Sequence, residues 1–428
     1  MTVFGDRLRE LRHTAGLTME QLAEASGVSV RAISDMERGH SRAPQPRTVA
    51  ALAGALGADP HGLAGLRPRR EHDRPWRGEP PRVAATFVGR AAEIDRIVRH
   101  AAAPAPVVVL HGQPGAGKSA LAVHLSGRLR LPGGRVFADL RGVDPVPPRP
   151  GEVAGQLLRA LGVGPRRIAD TAGERCSQLR AELAARRCLV VLDNAADEAQ
   201  LRPLLPAAGA GLILVTCRRM LGGLDGVSRV PLGPLAPGES AALLAAITDR
   251  ATGPAAARIA DLCGHLPLAL RIAATRLATR RDWTAGHLAD RLADPARRLA
   301  LLSAGDTGMA AAIGRSHAQL SGEGRALFRR LAHLPGPGFA AGVVTALTGA
   351  DPDDAADRLD ELIELGLLET AGPDRYRMPD LIRLYAAERL HAEESPAARE
   401  ATRRRISAGR PAWSTAAAVG CIGIPTYG

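Results

Sequence analysis

The sequence has little lysine, few aromatic residues and few cysteines. Lys118 is the only lysine among the 56 lysine and arginine residues, and aromatic residues make up 3% of the chain. The five cysteines are far apart and never in C-x-x-C spacing, so we expect buried or incidental thiols rather than disulfides or zinc ligands. No apolar run approaches the roughly 18 residues of a membrane span, and the first residues lack a signal-peptide pattern. We therefore expect a cytoplasmic protein with no membrane partner.

A phosphate-binding loop is the most specific motif present. The stretch GQPGAGKS at residues 112–119 follows an apolar run and precedes a segment with helical spacing. It fits G-x-x-x-x-G-K-[ST], in which backbone N–H groups surround phosphates, the lysine reaches the terminal phosphates and the hydroxyl binds Mg²⁺. The single lysine supports this interpretation, because a compact ammonium enters a phosphate nest that a guanidinium would overfill. A glycine-rich turn that binds nothing is the alternative.

Two later strands are predicted to end in polar residues at the same sheet edge. The apolar run 188–192 is followed by Asp193, where a carboxylate that orders Mg²⁺ and its water is expected downstream of a phosphate loop. The run 212–215 is followed by Thr216 and Arg218. Ligands of open parallel sheets bind at this edge, so Arg218 can reach a γ-phosphate. A surface arginine at a strand exit is the alternative.

The first 66 residues predict a bundle of short helices. Leu8 and Leu11 share one face of the first helix, Thr18 begins a capping box, and Ser29 can cap a third helix over 30–38. Two short helices joined by a glycine turn describe a helix-turn-helix. The net charge of +12 does not carry this prediction, because most of the surplus lies in residues 86–250.

The pattern GLT at 16–18, LA at 22–23, GVS at 27–29, IS at 33–34 and ERG at 37–39 closely resembles the XRE-type, lambda-repressor-like DNA-binding family. The resemblance implies that outward residues near the start of the third helix read bases, and that Arg12 and Glu37 form the family's internal ion pair. The candidate DNA-binding residues are Thr18, Ser29, Val30, Arg31, Ser34 and Arg38. A helical adaptor of the same shape that binds protein is the alternative.

From residue 86 the pattern becomes α/β, after a linker rich in proline and charge at 67–85. FVGR at 87–90, the phosphate loop, LDNA at 192–195, VTCR at 215–218 and LPLA at 266–269 occur in order. Together they resemble the NB-ARC class of STAND signalling ATPases, which includes actinobacterial regulators. The resemblance runs from about 86 to 391. It implies ATP or ADP and Mg²⁺ as cofactors. It also implies a winged helix after a helical domain, with helices near 308–318, 322–333 and 353–365 and a short wing over 366–377.

Site residues are carried over from that resemblance by position. The catalytic candidates are Lys118, Asp193 and Arg218, and the metal candidates are Ser119 and Asp193. The nucleotide-binding candidates are Val88, Arg90, Gly112, Gly115, Gly117, Lys118, Ser119, Ala120, Pro267 and Asp380. The resemblance places Val88 and Arg90 at the adenine side and packs Pro267 on the base. Residues 376–386 correspond to the family's Met-His-Asp latch motif. Asp380 ends this motif and is expected to cap the helix that follows.

Three departures from the family pattern bear on function. In the family, the histidine of the latch motif contacts the diphosphate of ADP and stabilises the closed, ADP-bound form. Pro379 stands at that position here, so we expect the closed form to be less stable. Asn194 stands where many relatives have a second carboxylate, which argues for slow hydrolysis. No helical repeat array follows residue 391, so the usual ligand-sensing module is unmatched, and the basic, Gly, Ala and Pro rich tail is expected to be disordered.

The predicted fold is multidomain: an all-α helix-turn-helix bundle at 1–66, the linker 67–85, an α/β P-loop domain with a parallel sheet at 86–235, a helical domain at 236–303, a winged helix at 304–391 and a disordered tail at 392–428. We expect a regulator switched by ADP and ATP, which binds double-stranded DNA and self-associates in its ATP form. The alternatives are a turnover ATPase and a defence or signalling scaffold whose first module binds protein. The operator and the activating signal cannot be read from the sequence.

Overall fold

The computed structural model describes residues 3–38, 46–58, 86–101, 106–129, 131–206, 211–305 and 307–418. The predicted linker at 67–85 lies outside these residues. Contacts divide the chain into two compact units, Met1–Arg77 and Gly78–Gly428. The finer domain boundaries proposed at 235 and 303 stay predictions.

The first unit is a bundle of helices, as predicted. Leu8, Leu22, Ile33 and Leu52 are fully buried in its core. The helices are α1 (Val3–Thr14), α2 (Met19–Ser26), α3 (Val30–Glu37) and α4 (Pro46–Ala55). The capping box at Thr18 is confirmed, because its side chain and that of Gln21 each accept from the other residue's backbone N–H. Ser29 caps α3 by accepting from the N–H of Ala32.

The second unit begins with a parallel sheet. Its elements are α5 (Ala91–His100), β1 (Val107–His111), α6 (Lys118–Arg128), β2 (Arg135–Asp139), α7 (Pro150–Ala160), α8 (Ala172–Ala185), β3 (Leu189–Ala195), α9 (Glu198–Leu201), β4 (Leu212–Cys217) and β5 (Val227–Pro231). The strand order is β2-β3-β4-β1-β5, and neighbouring strands pair in parallel. The strands predicted from apolar runs are confirmed, whereas β5 was missed because Ser228 and Arg229 interrupt its apolar pattern.

A helical segment follows the sheet. Its helices are α10 (Pro237–Ile247), α11 (Gly253–Leu262), α12 (Pro267–Thr279), α13 (Ala285–Ala293) and α14 (Pro295–Leu301), and the short strands β6 (Ser303–Ala304) and β7 (Thr307–Gly308) pair after it. Leu244, Leu270 and Leu288 are buried in a core cluster that continues into the next segment. The helical segment and the segment that follows it therefore share one hydrophobic core.

The remaining segment, residues 309–418, contains the helices expected near 308–318, 322–333 and 353–365, and we call it the winged segment after its predicted fold. Its elements are α15 (Met309–His317), α16 (Gly322–Leu331), β8 (Gly338–Ala340), α17 (Gly342–Thr348), α18 (Pro352–Glu364), β9 (Glu369–Gly372), β10 (Arg375–Arg377), α19 (Asp380–Glu393) and α20 (Pro396–Ala418). The strands form an antiparallel sheet in the order β8-β10-β9. The hairpin β9–β10 lies in the predicted wing, whereas β8 and α17 were not predicted.

The prediction of a disordered tail from residue 392 is wrong for the residues up to 418. The segment forms α20, and Thr402 is 0% exposed and Ile406 8% exposed. These residues lie four positions apart on one helical face, and Ile406 belongs to the shared core. Composition alone hid this face, because alanine and arginine outnumber the residues that are buried. Across the part of the chain described, none of the helices is both long enough and apolar enough to span a bilayer.

Candidate functional site

The phosphate loop lies between β1 and α6, at the carboxyl edge of the sheet. Gly112, Gly115 and Gly117 have φ values of 143°, 83° and 89°, a region that favours glycine. A side chain at Gly112 would also meet the carbonyl oxygen of Leu232. The glycines therefore let the backbone curl ahead of the first turn of α6, where N–H groups are free to bind an anion. Ala120, the third residue of α6, lies in that first turn and is exposed.

Lys118 is held inside this loop. Its Nζ donates to the carbonyl oxygens of Gly112 at 2.7 Å and of Gln113 at 3.0 Å. Burial, together with the positive charge of Arg218, lowers the pKa of Lys118 to about 7. An ammonium with this environment gains from a negatively charged ligand, because a phosphate offsets both the desolvation and the repulsion.

Acidic residues lie at the ends of two neighbouring strands. Asp193 of β3 accepts a hydrogen bond from the hydroxyl of Thr216 on β4, which confirms that these side chains meet at one sheet edge. Asp139 ends β2 in register with Asp193. Desolvation raises the pKa of Asp139, and the charge of Asp193 raises it further, whereas a hydrogen bond with the Asn194 side chain opposes the rise. Asp139 was not among the predicted site residues, although it follows an apolar run as Asp193 does.

These oxygen atoms suit a magnesium ion. Mg²⁺ takes hard oxygen ligands, usually one or two carboxylates together with phosphates and water. The exposed hydroxyl of Ser119 lies at the start of α6, and the carboxylates of Asp139 and Asp193 lie at the adjacent strand ends. The residues therefore fit the ion that the motif implies, with Asp139 added to the predicted pair.

Arg218 follows β4 at the same sheet edge, and its side chain makes hydrogen bonds to α15. Its Nη1 donates to the carbonyl oxygen of Ala312 at 3.2 Å and to the hydroxyl of Ser316. Burial lowers the pKa of Arg218 to about 10, and the nearby charge of Arg315 contributes. Arg218 is thus neither a free surface arginine nor paired with a carboxylate in the described part of the chain.

Arg90 supports the phosphate loop from behind. It is 4% exposed, it pairs with Glu93 at 2.8 Å, and its Nη2 donates to the carbonyl oxygens of Ala116 and Gly233. Its backbone N–H donates to Glu239 at 2.7 Å. Val88 packs against the shared helical core. These contacts indicate that Arg90 stabilises the phosphate loop, a role that the sequence did not indicate.

Pro267 lies against the phosphate loop. It begins α12, and its Cγ is 3.4 Å from the position that a Cβ on Gly117 would take. The next residue, Leu268, donates its N–H to the carbonyl oxygen of Gly115 at 3.3 Å. The start of α12 in the helical segment therefore contacts the phosphate loop, and one of these contacts is a backbone hydrogen bond.

The winged segment covers the loop from another side. A Cβ on Gly366 would lie 2.9 Å from the Cα of Gln113 and 3.3 Å from the carbonyl oxygen of Gly112. The Nε2 of Gln113 donates to Glu369 at 3.2 Å. The thioether of Met309 is 3.1 Å from the Cβ position of Gly115. Sequence reasoning missed this contact, because no motif links residues 250 positions apart.

Asp380 requires a correction. The helix α19 begins at Asp380 itself, and the residue before it, Pro379, has no side-chain acceptor and makes no capping bond. Asp380 is exposed and acts in the first turn, where a negative charge interacts favourably with the helix dipole. The predicted side-chain cap is therefore wrong, because the helix starts one residue earlier than expected.

In the first unit, a buried ion pair joins α1 to the end of α3. The Nε and Nη2 of Arg12 donate to Glu37 at 2.7 and 3.0 Å, and Nη1 donates to the carbonyl oxygen of Leu17 at 3.0 Å. The two side chains are 8% and 7% exposed. The ion pair predicted from the resemblance is confirmed, and it fixes the turn between α1 and α2 relative to α3.

Residues 3–66 match a family model described as a helix-turn-helix domain. These residues form a helix-turn-helix domain. The chain is also 37% identical over 425 residues to the Regulatory protein AfsR of Streptomyces coelicolor, which covers 94% of this chain and 42% of that protein. It is 39% identical over 329 residues to the Regulatory protein AfsR of Streptomyces griseus, which covers 74% of this chain and 34% of that protein. The chain spans less than half the length of these relatives.

The chain also resembles a solved structure, the Walker-type ATPase of Pyrococcus abyssi. The TM-score is 0.50 at 14% sequence identity, and the match covers 74% of this chain and 99% of that chain. At this identity the likeness shows the fold alone. The chain therefore joins a helix-turn-helix domain to a P-loop ATPase fold, in agreement with both sequence resemblances.

The helix-turn-helix domain exposes most of the candidate DNA-binding residues. Val30 is 38% exposed. Thr18, Ser29, Arg31 and Arg38 are exposed and Ser34 is partly buried. Ile33 and Met36 turn inward to the core. The start of α3 thus presents a surface on which Arg31 is the longest polar side chain. The roles of these residues in DNA binding stay a prediction.

Proposed function

We propose that this chain is a DNA-binding transcriptional regulator whose state is set by ADP and ATP. In this proposal ADP holds the winged segment against the phosphate loop, ATP releases it, and release permits self-association. The observation that carries the proposal is the contact between the backbone of Gly366 and that of Gln113. Because a ligand shifts an equilibrium only through different contacts in the two states, a segment that touches the phosphate loop directly is suited to respond to phosphates.

The surrounding polar contacts support the same proposal. Gln113 donates to Glu369, Arg219 pairs with Glu364, and Gln319 donates to the carbonyl oxygen of Gly142. Surface ion pairs contribute little, about 0 to 1 kcal/mol each. The interface between the winged segment and the phosphate loop is made of several weak contacts, so a difference of a few kcal/mol between the binding of ADP and ATP can open it. The apolar core shared by the helical and winged segments stays intact.

Self-association supplies what one helix-turn-helix domain lacks. Non-specific DNA affinity of such modules is only about 10⁻⁴ to 10⁻⁶ M at physiological salt. Tethering two modules gives the second an effective concentration that reaches about millimolar, so assembly converts weak contacts into occupancy of a paired site. The match to a helix-turn-helix family model supports DNA as the partner.

Slow hydrolysis suits a switch better than a motor. Asn194 is engaged with Asp139, and an amide can orient water but cannot accept its proton. We infer that the bound nucleotide is exchanged rather than turned over rapidly. Bound Mg²⁺ would supply charge neutralisation at the phosphates, while Asp139, Asp193 and Ser119 hold it.

Nucleotide content and mass in solution test the proposal. We expect the purified protein to carry ADP and to be monomeric with ADP, and to form larger species with ATP, as measured by chromatography of the acid-quenched protein and by light scattering. Lys118→Ala should lose the nucleotide, because Lys118 is the cation inside the loop. Equal nucleotide content in both proteins, or one mass with both nucleotides, would contradict the proposal.

A further inference from the structure

The helix α20 carries three consecutive arginines on its outer side. Thr402 and Ile406 are buried on the side that faces the shared core. Since successive residues of a helix are turned by about 100°, Arg404 lies opposite the core, and Arg403 and Arg405 lie on either side of it. All three are exposed, and the side chain of Arg404 is 80% exposed. We call these three arginines the α20 basic face.

The α20 basic face has a folded support. α17 packs against α20, and Ile406 belongs to the shared core. The hydroxyl of the buried Thr402 is satisfied, because it donates to the carbonyl oxygen of Ala398 at 3.1 Å. The backbone that carries the arginines is therefore ordered before any partner binds, so binding does not have to offset the cost of folding this segment.

Few acidic groups offset the charge of this face. Residues 396–407 contain four arginines and one glutamate, Glu400. Its carboxylate oxygens lie 3.8 Å from Nη1 of Arg403 and 3.4 Å from Nε of Arg404. Exposed pairs of this kind contribute only about 0 to 1 kcal/mol, so both arginines stay available to another anion. Arg405 donates to a neutral group, the hydroxyl of Thr402, at 3.1 Å.

The arginines of the neighbouring helix α16 are matched differently. Arg329 and Arg330 both donate to the buried carboxylate of Glu394, at 2.8 and 2.9 Å. The charge of α20 also reaches the end of this helix: desolvation lowers the pKa of His333, and the positive charge of Arg403 contributes to the lowering. The positive charge that no buried carboxylate matches is therefore concentrated on the α20 basic face.

The chemistry of the face favours a nucleic acid over a protein or a membrane. Among the residues described, the exposed large apolar side chains are Val30, Val98, Val146 and Met220, and none of them lies on α20. Protein interfaces usually have an apolar or aromatic centre. Helices that bind membranes insert an apolar face, whereas the apolar side of α20 is buried in the core. A surface that offers arginines alone suits a line of phosphates.

We propose that the α20 basic face binds the phosphate backbone of double-stranded DNA, as a contact independent of sequence and additional to that of the helix-turn-helix domain. Phosphate contacts add affinity and fix the position of a protein on the duplex, whereas base contacts specify the site. This inference rests on the proposed DNA-binding function and adds a second DNA-binding surface to it.

DNA titrations of the full chain at several salt concentrations test the inference. The logarithm of the association constant falls with the logarithm of the salt concentration, with a slope of about −0.9 for each phosphate contacted. We expect the triple change Arg403→Gln, Arg404→Gln and Arg405→Gln to make this slope shallower by about 2 to 3, because about three phosphate contacts are lost. The change should be the same on a random-sequence duplex and on a duplex selected for tight binding. Lysine at the same three positions keeps the charge and should keep most of the slope.

Three exposed arginines elsewhere in the second unit provide the matched control. Arg96, Arg99 and Arg166 are exposed, and their replacement by glutamine removes the same total charge but should leave the slope at its wild-type value. Arg404→Gln alone should reduce the slope by about 0.9, and it replaces the triple variant if that variant does not fold.

A wild-type slope in the triple glutamine variant, or an equal loss of slope in the control, would overturn the inference. If the triple variant instead loses binding to vesicles of anionic phospholipid while its DNA slope is unchanged, the face belongs to a lipid surface and the inference is wrong. A wild type that binds neither duplex would contradict the proposed DNA-binding function itself.

Discussion

Gly366 lies where the winged segment touches the phosphate loop, and Gly366→Ala places a methyl group in that contact. Its φ is +67°, and an added Cβ would lie 2.9 Å from the Cα and 3.3 Å from the N of Gln113. Both neighbours are backbone atoms of a constrained loop, so neither can rotate away as a flexible side chain does. The two segments must therefore separate by a few tenths of an ångström at this point.

The magnitude follows from two separate costs. Alanine in the left-handed region costs roughly 1 to 2 kcal/mol wherever it occurs. Overpacking of a close contact adds roughly 1 to 3 kcal/mol. Gly366→Ala should carry both costs. We expect the second cost to appear as destabilisation of the covered form, and therefore as ADP release that is about 5 to 150 times faster, since 1.4 kcal/mol is tenfold.

Gly349 provides a matched control in the same segment. Its φ is +73°, and an added Cβ there would meet nothing within 4 Å. Gly349→Ala should therefore lower stability only by the cost of the left-handed region, roughly 1 to 2 kcal/mol, and its ADP release should match the wild type. Release is measured by chasing a bound fluorescent ADP analogue with unlabelled ADP, and opening by hydrogen exchange of the peptide that contains the phosphate loop.

The comparison between the two variants decides the matter. If Gly366→Ala and Gly349→Ala release ADP at the same rate, the contact with Gln113 does not control the nucleotide. If only Gly366→Ala releases ADP faster and exposes the phosphate loop to exchange, the contact with Gln113 is the one that covers the nucleotide.

Three further predictions address the other sites. Glu37→Gln should destabilise the helix-turn-helix domain by about 3 to 5 kcal/mol, because it leaves the buried guanidinium of Arg12 without a charged partner. Hydrogen exchange of α1–α3 peptides in the full chain measures this, and a loss below about 1 kcal/mol would contradict it. Asn194→Asp should hydrolyse ATP faster than a wild type that turns over well below about 10 s⁻¹, because a carboxylate can accept the proton of water; phosphate release at equal or lower rate would refute this. Arg31→Ala should weaken specific DNA binding by about 1 to 3 kcal/mol, whereas Arg9→Ala on α1 should affect specific and random DNA alike, as gel-shift titrations at fixed salt would show.

The sequence determined the features that depend on local chain chemistry. The spacing of glycines before Lys118 requires a loop with positive φ, and the order of apolar runs fixes which strands are buried on both faces. The capping box at Thr18 and the cap at Ser29 involve residues only three positions apart. Signals of this kind are complete within a short window, so the phosphate loop, Asp193 and the helix-turn-helix domain could be recognised without coordinates.

The tertiary structure decided the contacts that join distant segments. Gln113 meets Gly366 and Glu369, Arg218 meets Ser316, and Asp139 lies in register with Asp193. No periodicity records these pairs, because each residue is locally unremarkable and acquires its role only from a neighbour more than 50 positions away. The helix over 396–418 belongs to the same class, since its buried face exists only where the shared core covers it. Composition describes a segment by itself, whereas burial depends on what packs against it.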